Sequence, residues 1–208
     1  MNSQKSNIEA NLLRISSIIH DSKNLNTIFE ELAKIIKKSW GIKNFYVALL
    51  NRELDLITFP YYNDIKDKPP KEKFSKGKGI TNFVIKLEKE ILINSQDYEN
   101  LVQSGDVEAI GSTPKFWLGT PLKDFDQSTI GLIAIQTYDK KIKLNDVHIR
   151  IMKFISEQLT LAIDRFQHIK EVEHLTYYDP LTELPNKSFF FEEGKKILKD
   201  NTSILACL

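Results

Sequence analysis

Cysteine is nearly absent: Cys207 is the single one in 208 residues. An internal disulfide and a cysteine-based zinc site are therefore excluded. Neither sign of charge is in excess, since 29 Lys and Arg face 28 Asp and Glu for a net charge of +1. Nucleic-acid binding draws on a clustered surplus of basic residues, so no nucleic-acid partner is expected. No apolar run approaches the ~20 residues needed to span a bilayer. The opening Met1-Asn2-Ser3-Gln4-Lys5 lacks the apolar stretch of a signal peptide. The expectation is a cytoplasmic protein with no membrane span. Gly77-Lys78-Gly79-Ile80-Thr81 lacks the earlier glycine of a phosphate loop, position 72 being Glu. It also lacks the third glycine of a dinucleotide fingerprint, position 82 being Asn. A turn is the better reading.

What is present suffices for a core: hydrophobic residues make up 41%, with twelve Phe, seven Tyr and two Trp. Ile8, Leu12, Ile15 and Ile19 recur at helical spacing and predict an N-terminal helix. Asn24 or Asn26 caps a second helix running to about residue 39, with Ile28, Leu32, Ile35 and Ile36 on its apolar face and Gly41 ending it. Residues 45–50 are apolar on both faces, as in a buried strand, and residues 54–59 pair with them through a short turn. A Lys-rich loop over 65–79, broken by acids and two prolines, reads as solvated surface. A short helix over 80–87 and a short strand over 90–93 follow. Residues 94–115 form a long polar excursion, partly helical. Strands over 116–122 and 129–137 make a hairpin, and Asn145 or Asp146 caps a long helix. Helices, strands, an excursion, strands and a long helix in that order predict an α+β fold. Its antiparallel sheet has about six strands, with helices packed on one face.

Alternation assigns the faces of that sheet. Ile133 and Ile135 share an all-apolar face, which we assign to the helices. Tyr46 and Ala48 on the first strand, and Ala134 and Gln136 on the last, share the other face. We assign that face to a cavity beneath the long loops, closed by Phe74, Phe83, Tyr98 and Trp117. Small residues leave room and Gln136 supplies donors and acceptors, as a small-molecule pocket requires. The same residues also serve as plain core, with Gln136 bonded to loop backbone. Asp164 and His168 lie four apart on the long helix and read as a solvated pair rather than a metal site.

Several segments in order are similar to a GAF domain. They are Trp117-Leu118-Gly119-Thr120-Pro121-Leu122, then Ile130-Gly131-Leu132-Ile133-Ala134-Ile135-Gln136, then Asn145-Asp146 opening a helix that reaches Leu161-Ala162-Ile163-Asp164. Residues 45–50 and Gly77-Lys78-Gly79-Ile80 match that family's first strand and the entry to its short helix. The resemblance spans roughly residues 8–166. Asp179-Pro180-Leu181-Thr182-Glu183-Leu184-Pro185-Asn186, preceded by Leu175-Thr176-Tyr177-Tyr178, resembles the entry of a GGDEF domain, the diguanylate cyclase family. That family usually has Gly at position 183 and Arg at 187, where this chain has Glu and Lys. Without the family, Asp179 is a good N-cap with Pro180 at the first helical position. Asn186 caps a helix to about residue 199 and 204–208 begins a strand. The expected organisation is an N-terminal helix over 1–22, a GAF-like sensor over 23–166, a signalling-helix linker over 167–178, and the truncated start of a GGDEF domain over 179–208.

The resemblance implies a sensor regulating a diguanylate cyclase that condenses GTP into cyclic di-GMP. Mg²⁺ and GTP would belong to the missing output domain, and no cofactor or catalytic residue to this chain. The Asn-Lys-Phe-Asp-Glu motif of cyclic-nucleotide-binding GAF domains is absent. The sensor region also lacks cysteine, which excludes covalent bilin attachment there and ranks last the reading of an enzyme acting on methionine sulfoxide, as some stand-alone GAF proteins do. Met152, Ile155, Leu159, Ala162, Phe166 and Ile169 repeat at 3-4-3-4-3 along the long helix. That seam is either a homodimer interface or the stripe covering the domain's own sheet, with a partner helix favoured beyond Phe166. Expected partners are a second copy and an unidentified small molecule. The alternative is a ligand-free dimerisation spacer.

Overall fold

The computed structural model describes the backbone of residues 2–69, 73–74 and 77–199, and side chains within 12–69 and 77–195. The strand expected over 204–208 lies outside the described residues. The chain divides into two compact units, Met1–Ile163 and Asp164–Leu208.

The first unit opens with α1 (Asn2–Asp21) and α2 (Leu25–Trp40). Of the two candidate caps, Asn24 starts α2: its side chain accepts the Thr27 N–H at 2.9 Å. Gly41, at φ 69°, ends the helix in the left-handed conformation that glycine adopts without a Cβ penalty. Strands β1 (Asn44–Asn51) and β2 (Leu56–Asn63) form an antiparallel pair, and the two-residue β3 (Lys73–Phe74) lies beside β2. Then come α3 (Ile80–Leu87), β4 (Ile91–Asn94), α4 (Ser95–Gln103), β5 (Phe116–Lys123) and β6 (Thr129–Thr137). The sheet order is β3-β2-β1-β6-β5-β4, antiparallel throughout. The polar excursion contains α4, which Asn94 and Asp97 open with a reciprocal capping box.

The expectation of helices on one face is corrected. On the Phe45 face lie α1, α2 and the first part of α5 (Asp146–Tyr177), capped by Asn145, whose side chain accepts the Val147 N–H at 3.1 Å. Phe29 of α2 meets Tyr61, which also meets Phe45. Ile15, Ile36 and Ile155 from the three helices line one small gap. The short helices α3 and α4 cover the opposite face, where Val84, Ile85 and Tyr98 pack with Tyr46, Ala48 and Ala134. Both faces of the central strands are thereby buried, which is why β1 and β6 read as continuous apolar runs.

The dimer seam is corrected as well. Met152, Ile155 and Leu159 are fully buried and Ala162 is 2% exposed, so these four belong to the core of their own unit. They are the stripe that covers this domain, and no second chain can reach them. Phe166 and Ile169 lie past that core; Phe166 is half-buried and Ile169 exposed.

In the second unit, α5 ends at Tyr177 and a tight turn leads to α6 (Lys187–Lys199). The Asp179 carboxylate accepts the N–H groups of Leu181 at 3.1 Å and Thr182 at 2.9 Å, which holds its pKa below the usual range. Glu183 stands at φ 56°, a left-handed position that favours glycine. Asn186 caps α6 through the Ser188 N–H at 2.8 Å. His168 Nε2 lies 3.4 Å from Asp164 with both side chains exposed.

Candidate functional site

The face of the sheet under α3 and α4 holds a cavity of about 140 Å³. An engineered cavity of about 150 Å³ is known to hold benzene, so the space suits a small organic molecule. Register builds its floor: Tyr46 lies opposite Ala134 and Tyr62, and Trp117 lies opposite Gln136. Trp117 folds its indole over Gly119, where any Cβ would collide with the ring. The Trp117 Nε1–H then donates to the Tyr46 hydroxyl at 3.2 Å, and that hydroxyl shares a 3.0 Å bond with Thr81 of α3. The floor and the short helix are thus tied together by buried polar groups that are paired.

Tyr46, Phe59 and Tyr62 form an aromatic cluster, with Tyr46 and Tyr62 stacked at 5.4 Å between centroids. Burial pushes the Tyr46 phenol up to about 12. Burial also raises Tyr62 and Tyr138 well above the ordinary range, and the charges of Asp64 and Asp67 add to both shifts. All three rings are neutral hydrogen-bonding groups at physiological pH.

A polar corner completes the site. The Gln136 amide nitrogen donates to Asp64 and, at 3.0 Å, to the Tyr138 hydroxyl. Tyr138 lies 3.1 Å from Asp67. Asp67 accepts the Ser112 N–H at 2.9 Å and its hydroxyl at 3.0 Å, which pins the loop after α4 across the cavity.

Of the eight residues expected around the pocket, Tyr46, Tyr98, Trp117 and Gln136 border the cavity. Ala48 and Ala134 are fully buried in the core beneath it and do not reach the space. Ala134 lies opposite Gly119, over which the indole is folded. Phe83 packs on that core from the covering helix rather than bordering the cavity. Phe74 pairs with Leu56 in β3, and its side chain lies outside the described residues. The Gln136 side chain bonds to the side chains of Asp64 and Tyr138 and, among the described residues, not to loop backbone. Sequence reasoning missed Tyr62, Asp64, Asp67 and Tyr138. Tyr62 fell past the strand expected over 54–59; that strand runs to Asn63 and sets Tyr62 opposite Tyr46. The two aspartates looked like ordinary loop acids, because nothing local shows that residue 64 meets residue 136 or that residue 67 meets residues 112 and 138.

An antiparallel sheet with long helices on one face and a cavity under short helices on the other is the architecture of a GAF domain. The GAF domain of a Coxiella burnetii phosphoenolpyruvate-protein phosphotransferase superposes with a TM-score of 0.65 at 10% identity, covering 80% of this chain and 98% of that one. The corresponding Acinetobacter domain gives 0.64 at 12% identity, covering 79% and 97%. A free methionine-R-sulfoxide reductase from Neisseria meningitidis, in complex with its substrate, gives 0.62 at 13%, covering 78% and 91%. Identities this low establish the fold. No family model matches the sequence. No curated protein matches it either. Among the described residues, no helix is long and apolar enough to cross a membrane.

Proposed function

We propose that this chain is a sensory GAF module that binds a small molecule in the cavity above β1 and β6 and regulates an attached diguanylate cyclase. The observation that carries this reading is the cavity itself. It is roofed by α3, and a hydrogen-bonded chain through Trp117, Tyr46 and Thr81 links its floor to that roof. A ligand there would bear on Tyr46, Thr81 and the Ser112 loop together. The cyclase link rests on the sequence of residues 179–186, which resembles the GGDEF entry. The cyclase would need Mg²⁺ and GTP in residues beyond this chain. Homodimerisation through α5 past Ile163 would bring two output domains together, as condensation of two GTP requires.

Native mass spectrometry and thermal shifts across a metabolite panel test the sensor reading, which expects a co-purifying mass or a stabilised melt. If neither appears, the chain is a ligand-free dimerisation spacer. Cyclic di-GMP formation by the full-length protein from Mg²⁺ and GTP, compared with and without ligand, tests the output.

A further inference from the structure

The polar corner of the cavity holds two carboxylates that are hydrogen-bonded but not ion-paired: Asp64 accepts the Lys66 and Asp67 N–H groups at 2.8 and 3.0 Å and the Gln136 amide, and Asp67 accepts the Ser112 N–H and hydroxyl. The Tyr138 hydroxyl lies 3.1 Å from an Asp67 oxygen and 3.2 Å from both oxygens of Asp64. A phenol has one proton, so it can serve only one carboxylate at a time. Among the described residues, neither aspartate has an ion-pair partner. The Lys66 ammonium sits over the Tyr138 ring instead, 4.3 Å from its centroid.

Gln136 adds a further acceptor. It is 7% exposed and borders the cavity. Its amide nitrogen must face Asp64, because a carboxylate only accepts. That orientation leaves its carbonyl oxygen without a hydrogen-bond partner among the described residues. That oxygen is an acceptor available to an N–H or O–H of a molecule in the cavity. Part of the remaining wall is aromatic, from Tyr46, Phe59 and Tyr62, and the faces of such rings attract cations.

Two features favour an anion: the exposed Lys68 and the first turn of α3, both at the cavity. A helix N-terminus carries about half a charge, and less matters once solvent screens an exposed lysine. Two carboxylates without an ion-pair partner among the described residues, with Asp67 bordering the cavity, outweigh them.

Resting on the sensor reading above, we propose that the cavity takes a small organic cation bearing N–H donors, its head at Asp67 and Gln136 and its apolar body against Tyr46, Phe59 and Tyr62. Titration calorimetry of the whole chain with four probes of one shape tests this: benzylamine, benzyltrimethylammonium, benzyl alcohol and benzoate. Benzylamine is expected to bind at least tenfold more tightly than the other three, and Asp67→Asn to remove at least tenfold of that affinity. Tyr62→Leu keeps both carboxylates and is expected to weaken benzylamine severalfold, so the inference stays testable if Asp67→Asn fails to fold. Alcohol or benzoate binding as tightly as the amine overturns the cation reading and leaves a small-molecule pocket standing. Equal binding of the trimethylated probe overturns the N–H requirement. Benzylamine affinity unchanged in both variants overturns the assigned position. Failure of all four probes to bind overturns the cation inference, and the metabolite panel then judges the sensor reading separately.

Discussion

Tyr46 shows how much one side chain decides. It is 5% exposed, takes a hydrogen bond from Trp117 and shares one with Thr81. Its folded pKa of about 12 lies above the ordinary value of about 10. Between those values the unfolded chain has lost a proton that the folded protein keeps. The stability contributed by the neutral phenol is therefore fully present below pH ~10 and is lost as pH rises toward ~12, by about 3 kcal/mol. Urea unfolding at pH 9 and 11 should show a shallower alkaline decline in Tyr46→Phe than in the native protein; parallel declines would refute this. Glu183 illustrates the converse, a residue acting through its backbone. At φ 56° it bears a left-handed cost of roughly 1–2 kcal/mol that glycine escapes. Part of that gain is offset by the extra freedom of glycine in the unfolded chain. Glu183→Gly should stabilise the turn by roughly 0.5–1 kcal/mol, read from slower amide exchange at the Glu183 N–H, which donates to the Asp179 carbonyl at 2.9 Å.

Helix α5 carries two kinds of apolar residue. Leu159 is fully buried, whereas Leu161, Val172 and Leu175 are 50%, 62% and 61% exposed. Leu159→Ala should cost about 2–5 kcal/mol in chemical denaturation, as removal of a buried leucine does. Leu175→Ala should change the stability of the monomer by less than about 0.5 kcal/mol. If the exposed residues form the proposed homodimer contact, that variant should instead weaken self-association in sedimentation. Unchanged sedimentation would remove this surface from the dimer. At this scale three of the caps were legible in the sequence, Asn24 and Asn145 each as one of two candidates and Asn186 outright, whereas Asn94 was not read as one. Asn24, Asn94, Asn145 and Asn186 each bond an N–H two or three residues ahead, so the whole device is local. The helical period of the α5 seam was legible too. What the seam packs against was not, because a stripe that covers a sheet and one that meets a second chain have the same spacing. The covering role of α3 and α4 was also hidden, since the helices are short and α4 buries Tyr98 alone.

At the scale of the molecule, the first unit contains its own sheet, core and cavity within Met1–Ile163. A fragment of residues 1–163 should therefore unfold in one cooperative transition, with circular dichroism and tryptophan fluorescence giving coincident curves. Separated curves would show that the unit is not self-sufficient. The sequence by itself determined the order of elements, the capped ends, the antiparallel strands and the two-faced character of the sheet. These follow from contacts within a few residues and from the periods of strand and helix. The tertiary structure alone decided that helices cover both faces and that Met152, Ile155, Leu159 and Ala162 are core. It alone joined Gln136 to Asp64 across 72 residues and Trp117 to Tyr46 across 71. Chain separations of that size leave no local trace, because side-chain pairing there is set by sheet register and by the path of loops.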